Sequence, residues 1–229
     1  MNTITLNGVS SSSKTGLLIQ SLPAITRPKM RVQQTTVDGR PGDIITELGY
    51  EAYDRELSVG LHGSFDIDAI VAYFSGSGKA IFSNESDKVY DYTFIEKVDY
   101  ERLLRFRTAK IKMHVQPYKH SATETAKTFT AASFSLTNSG NTESAPTIDI
   151  IGSGTVTVAI TGGASFQVDM SNDAEVIVDT ETLEAYMGTA LKNRLVTGNI
   201  GNFRLAPGAN TITVSGATSV TFTNYSRWI

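Results

Sequence analysis

Cysteine is absent from this sequence, which excludes disulfides, thiol nucleophiles and cysteine-based zinc sites. No apolar run approaches the roughly eighteen residues of a membrane-crossing helix. The opening "MNTITLNGVSSSSKTGLLIQ" has no charged-then-apolar leader with a small-residue cleavage site, so a secretory signal is not expected. Charge is scarce and nearly balanced. The formal net charge of −3 is too small to mark a nucleic-acid binder or an acidic tail. Histidine occurs only at 62, 114 and 120, and no H-x-H, H-x-x-H or HExxH spacing brings two together. A G-x-S-x-G elbow is missing as well.

One stretch invites a nucleotide reading. "AYFSGSGKAIF" crowds Gly76, Gly78 and Lys79 together, as phosphate-binding loops do. The position that must hold the first glycine is Tyr73, however, and Ala80 stands where Mg²⁺ needs a hydroxyl. The order of elements is also reversed, because a phosphate loop leaves a strand and opens a helix. Here Ile67, Ile70, Val71 and Phe74 form one apolar helical face before the glycines, with Ser64 or Asp66 placed to cap its start. The strand-like "AIFSN" follows. Gly76 and Gly78 are expected to end the helix and turn the chain.

What is present is β-patterned. "ITL", "GLLIQSL" and "KMRVQQTTV" read as short strands, and Leu57, Val59 and Leu61 alternate with Glu56, Ser58 and Gly60. In "KVYDYTFIEKV", Tyr90, Tyr92 and Phe94 share a face. "RFRTAKIKMHVQPY" alternates Ile111, Met113 and Val115 with Lys110, Lys112 and His114. Phe106 falls out of that phase, which predicts a bulge near Thr108 or Ala109, and Pro117 is expected to end the run. Residues 1–118 hold 14 basic and 14 acidic residues, whereas residues 119–229 hold 6 and 9. The second part is poor in charge and rich in Thr, Ser, Gly and Asn. Its strand signals, "SFSLTN", "TIDII", "TVTVAIT", "SFQVDM", "EVIVDT", "NTITVSG" and "SVTFTNY", are separated by turns at Asn138–Asn141, Gly152–Gly154, Gly162–Gly163 and Ala206–Asn210. The expected fold is therefore mainly β. An α+β domain over 1–120, an antiparallel sheet with one helix, precedes an antiparallel β-sandwich over 128–229, with a polar linker between them.

Little in this pattern does chemistry. Asp66 and Asp68 lie in a first helical turn, where the helix dipole favours negative charge. "DMSND" at 169–173 lacks the glycine and the glutamate of a calcium loop. Sugar binding needs exposed aromatic faces, and several of Phe166, Tyr186, Phe203, Tyr225 and Trp228 fall in core phase. No catalytic, cofactor or metal site is assembled, and an enzyme is not expected. The long segment Val37–Arg55 reads either as an extended hairpin tip or as an arm reaching a neighbouring subunit. Ile44, Ile45 and Leu48 make it more apolar than a free loop requires.

An ordered series across both halves resembles the distal tail proteins of siphophages that infect Gram-positive bacteria. It runs through "VDGRPGDII", then Tyr53-Asp54-Arg55-Glu56-Leu57, then "DIDAIVAYFSGSGKAIFSNESDKVYDY", and a last strand closing on "VQPY". It continues with "LTNSGNTESAPTIDIIGSGTVTV", "EVIVDTETLEAY" and "LAPGANTITVSGA". The resemblance covers nearly the whole chain. It implies a structural hub: N-terminal domains forming a homohexameric ring around the DNA exit channel, with galectin-like C-terminal sandwiches outward. The implied partners are the tail-tube protein above, the tail-tip (tail-associated) protein below, and receptor-binding or baseplate proteins at the rim. DNA passes through without specific binding, no membrane is involved, and the place is the distal end of the virion tail after assembly in the host cytoplasm. The family's hairpin contacts make Arg40, Ile44, Ile45, Leu48 and Tyr50 the candidate subunit-interface residues. The alternatives are a carbohydrate-binding sandwich protein, or the hub of a contractile tail or phage-tail-like bacteriocin.

Overall fold

The computed structural model describes residues Met1–Ile229 as two compact units, Met1–Ala122 (with Ile229) and Thr123–Trp228. The chain is mainly β, with antiparallel pairing throughout the sheets described below. No helix is long and apolar enough to cross a membrane.

In the first unit the strands are β1 (Ile4–Leu6), β2 (Val9–Ser10), β3 (Leu17–Ser21), β4 (Met30–Thr36), β5 (Asp43–Tyr50), β6 (Tyr53–Leu61), β7 (Ser77–Phe82), β8 (Glu85–Thr93) and β9 (Thr108–Ser121). All but β4 and β5 lie in one sheet of order β2-β1-β7-β8-β9-β6-β3. Alternation decides which side chains go in. Leu57, Val59 and Leu61 are buried, as are Ile111, Met113 and Val115. Helix α1 (Ile67–Tyr73) starts where Asp66 Oδ1 accepts from the Ala69 amide at 3.0 Å. Its inward face is Ile70, Tyr73 and the following Phe74; Val71 is exposed instead. Tyr73 takes that place because its hydroxyl donates to the buried carbonyl of Ile4 at 2.7 Å. The glycine corner turns the chain through Gly76 at φ 73°. Gly78 sits inside β7, where a Cβ would fall 1.9 Å from Asn7 Oδ1. The Lys79 amide donates to that same Asn7 oxygen, and its ammonium pairs with Asp91 at 2.8 Å.

Three expectations change here. A second helix, α2 (Tyr100–Phe106), precedes β9; it is capped by Asp99 and ends at Arg107 with φ 58°. Phe106 is thus out of phase because it belongs to a helix, and β6 and β9 pair without a break through Thr108 and Ala109. Nor does Pro117 end the strand. Asp91 of β8 faces the three residues Gln116–Tyr118, so the proline sits in a bulge of the β8–β9 ladder, a position where proline is tolerated.

In the second unit β10 (Lys127–Phe129), β11 (Ser133–Asn138), β12 (Thr147–Ile160), β13 (Ser165–Met170), β14 (Glu175–Asp179), β15 (Glu184–Met187), β16 (Ala190–Leu191), β17 (Val196–Gly198) and β18 (Gly208–Thr223) make a sandwich. Two long strands serve both layers. The first half of β12 pairs with β14 and the last part of β18, while its second half pairs with β13 and the first part of β18. The register shifts between Ile151 and Thr157, beside Gly216 at φ 82°. The Gly152–Gly154 segment, expected as a turn, is therefore a bend inside one continuous strand. Bends of this kind let a strand pass from one layer to the other. Ile148, Ile150, Val176, Val178 and Phe222 face Val156, Val158, Phe166, Val168 and Ile212 in the buried core.

Candidate interaction surface

Strands β4 and β5 form a two-stranded sheet of their own, with no third strand beside them. Pairing runs from Thr36↔Asp43 through Gln34↔Ile45 to Met30↔Tyr50, with a bulge at Leu48–Gly49 opposite Arg31. At about 3.3 Å per residue, this arm extends some 25 Å. Nearly every residue along it is exposed on both faces. It carries a concentration of exposed large aliphatics: Val32, Val37, Ile44, Ile45 and Leu48, the last three 40%, 61% and 52% accessible. A lone hairpin is marginally stable in water and gains stability when another surface covers it.

The candidates read from the sequence do not behave alike. Arg40 sits in the tip turn, where its amide donates to the Val37 carbonyl at 3.1 Å. Ile44, Ile45 and Leu48 are bare along the arm. Tyr50 is engaged at the root: its ring meets Tyr118 edge-on at 6.1 Å, and its hydroxyl accepts from Arg27 Nη2 at 2.7 Å. Tyr50 therefore belongs to the arm's mounting, whereas the other four face outward.

Below the arm lies a group that inspection of the sequence missed. Arg55 is buried, with a side chain 1% exposed, and its guanidinium carbon stands 4.5 Å from the Phe82 ring centroid and 4.4 Å from that of Tyr90. Its Nη1 is 3.5 Å from Glu85 Oε2, and its Nη2 donates to the carbonyls of Ala24 (3.2 Å) and Pro23 (3.5 Å). Lys119 Nζ donates to Glu85 Oε1 at 3.0 Å, the Tyr90 hydroxyl donates to Oε2, and Asn84 Nδ2 donates to Pro23 O at 3.2 Å. Burial pushes the Glu85 carboxyl up, but the bonds from Tyr90 and Lys119 and the two cations outweigh it and hold the group below its ordinary value. Burial first, and then the bond to Glu85, push the Tyr90 hydroxyl well above its usual range, against the lowering pull of Arg55. A signal was present. Arg55 shares the buried phase of Leu57, Val59 and Leu61, and an arginine in that phase demands a carboxylate or carbonyls.

The remaining polar groups are separate. His114 Nδ1 lies 2.8 Å from Asp54, and His120 Nε2 lies 3.9 Å from Asp91. In "DMSND", Asp169 accepts from the amide and hydroxyl of Ser171, and Asp173 pairs with Lys192 at 2.7 Å. Of the sandwich aromatics, Phe166, Phe203 and Tyr225 are buried, while Tyr186 and Trp228 are half-buried. No cluster of three or more His, Cys, Asp or Glu gathers as metal ligands do.

No protein-family model matches the chain, and no curated protein matches it. Solved structures do. The chain is similar to the SPP1 Dit (gp 19.1) protein, described as a paradigm of the hub adsorption apparatus in Gram-positive infecting phages. The TM-score is 0.74 and the identity 15%, over 100% of both chains. It is also similar to a chain of the phage P2 baseplate in its activated conformation with Ca, with a TM-score of 0.53 and 8% identity over 97% of each chain. At such identities the likeness is one of fold, and that fold spans both units.

Proposed function

We propose that this chain is the structural hub of a bacteriophage tail tip. In this reading it forms a closed, homohexameric ring that links the tail tube to tail-tip and receptor-binding components and surrounds the path of the DNA. Its place is the distal end of the virion tail. The observation that carries the reading is the full-length correspondence to the hub protein of SPP1, in which neither unit is left over. The arm supports it independently. A ring needs a heterologous contact that closes, and the arm is an element with exposed aliphatics on two faces and no partner in its own chain. Ile44, Ile45 and Leu48 are the residues assigned to that contact, with Arg40 at its tip. The lumen is read as a passage that DNA slides through, not as a binding surface.

Absolute mass by light scattering after size exclusion, at two concentrations, tests this. A mass of six chains, or of a pair of such rings, together with a central hole in negative-stain images, is the expected result. A monomer at both concentrations that stays monomeric with the tail-tube and tail-tip proteins added overturns it. Tight, salt-sensitive DNA retention by the assembled ring would overturn the passive-lumen part alone.

A further inference from the structure

The arm leaves its sheet and returns to it through a narrow neck. The outgoing chain passes Pro23 and Ala24, and the returning chain passes Tyr50 and enters β6, where Arg55 stands. We propose that Arg55 is the latch of this neck: it locks the outgoing Pro23–Ala24 segment to the sheet and so fixes the direction in which the arm projects. The purpose of such a fixed direction rests on the assembly reading above; the latch itself does not.

The geometry separates a latch from ordinary core support. Every group that holds Arg55 in place sits on a paired strand or its turn: Phe82 on β7, Glu85 and Tyr90 on β8, Lys119 on β9. The groups Arg55 itself holds, the carbonyls of Pro23 and Ala24, belong to a segment outside any strand or helix. Asn84 repeats the contact by donating to Pro23 O from the β7–β8 turn. An arginine suits this task because its planar fork reaches the carboxylate with one amino group and the two carbonyls with the other, a span that the single ammonium of lysine does not have. Replacing a buried ionic group by well-packed apolar residues is often neutral or stabilising, so stability alone does not account for the choice, and the fixed position of the neck is the role assigned to it. The neck is stapled a second time by Arg27, whose guanidinium carbon lies 5.4 Å from the Tyr50 ring centroid, and by the Glu51 amide donating to Lys29 O at 2.8 Å.

The absence of native cysteine makes the test clean. Spin labels are placed at the arm tip (Asp38→Cys) and on the sheet (Lys110→Cys), and the distance distribution is measured by pulsed dipolar spectroscopy, with labelled chains diluted into unlabelled ones. A second pair within the sheet (Lys79→Cys and Lys110→Cys) serves as control. In Arg55→Lys the tip-to-sheet distribution should broaden at least about twofold while the control stays narrow, because neck opening frees the arm and leaves the ladder intact. Asn84→Ala, an exposed position, should broaden it in the same direction by less. An unchanged tip-to-sheet width, or equal broadening of the control, overturns the latch. If Arg55→Lys does not fold, Asn84→Ala decides by the same criterion. Broadening in a chain that light scattering finds monomeric upholds the latch without the hub. An intact ring with unchanged widths removes the latch and leaves the hub standing.

Discussion

Replacing Ile45 and Leu48 together by threonine separates assembly from folding. Both are strand residues on the arm, 61% and 52% exposed, so over half of each side chain has no contact within the chain. Complete burial of an Ile or Leu side chain stabilises by about 1.5–3 kcal/mol, and the uncovered share leaves roughly 1–1.5 kcal/mol for a partner to gain at each. Threonine keeps the strand preference while removing most of that gain. If the proposed ring closes through the arm, the pair should weaken each subunit contact by about 2–3 kcal/mol, a factor of about 30–150 in its dissociation constant. The fold itself should hardly notice, since exposed substitutions usually stay within about 0.5 kcal/mol. Sedimentation across a concentration series reads the first quantity, and thermal melting of the dissociated chain reads the second. Leu57→Ala, in the buried sheet, is the contrasting control, expected to cost about 2–5 kcal/mol. An association profile identical to wild type would show that the arm's aliphatics are not what the subunits share. A melting loss as large as that of Leu57→Ala would show that they already pack at home.

Other outcomes are equally specific. Because the Glu85 carboxyl is held below its ordinary value in the folded chain, it stabilises above the unfolded value of 4.5 and loses that contribution as pH falls through the folded one. Glu85→Gln should be less stable at pH 7, by up to about 3–5 kcal/mol for an uncompensated buried pair, and should lose less on acidification below pH 4.5; parallel pH–stability curves would contradict this. Asp149 is the opposite case. Burial, and then Glu175, raise its carboxyl, so its charged form opposes folding above the raised value. Asp149→Asn should raise the melting temperature at pH 7 and bring no gain below the unfolded value of 3.8, and a gain independent of pH would refute the electrostatic cause. Gly216→Ala would place a Cβ 2.4 Å from the Thr155 carbonyl at φ 82° and should cost the sandwich more than about 1 kcal/mol in chemical denaturation. An unchanged midpoint would mean that the bend has room to spare.

The sequence made strands legible wherever one face is buried and the other wet. Leu57, Val59 and Leu61, or Ile111, Met113 and Val115, could be assigned by parity because they alternate with the more accessible Glu56 and Ser58, or Lys110, Lys112 and His114. What failed were elements whose signal is short or shared. Helix α2 buries only Leu103, too little periodicity to stand apart from the strand that follows, although Asp99 and Glu101 marked its start. Pro117 and the glycines at 152 and 154 were read as stops, because the local rule cannot see that a partner strand continues past them. The arm's first strand was legible in "KMRVQQTTV" and its apolar character in Ile44, Ile45 and Leu48, but β5 was not, since neither face has a core to impose alternation. Three of its aliphatics were identified, and Val32 and Val37 were overlooked. The Arg55 group could not be assembled from sequence, since its carboxylate and second cation lie 30 and 34 positions apart from their partners and only the folded sheet brings them together.

The shared strands of the sandwich have a mechanical meaning. A load that tries to slide one layer over the other cannot act at a soft seam between separate ribbons, because β12 and β18 run through both layers and are bonded to each other on either side of the bend. Such a load must shear many backbone bonds of the β12–β18 ladder at once, whereas a peeling pull on an edge such as β16, with two paired residues, breaks them one after another. The unit is thus stiff along its long strands and yielding at its short rim strands. Attachments at the ends of β12 and β18 would carry tension, and attachments on β16 or β17 would tear away first.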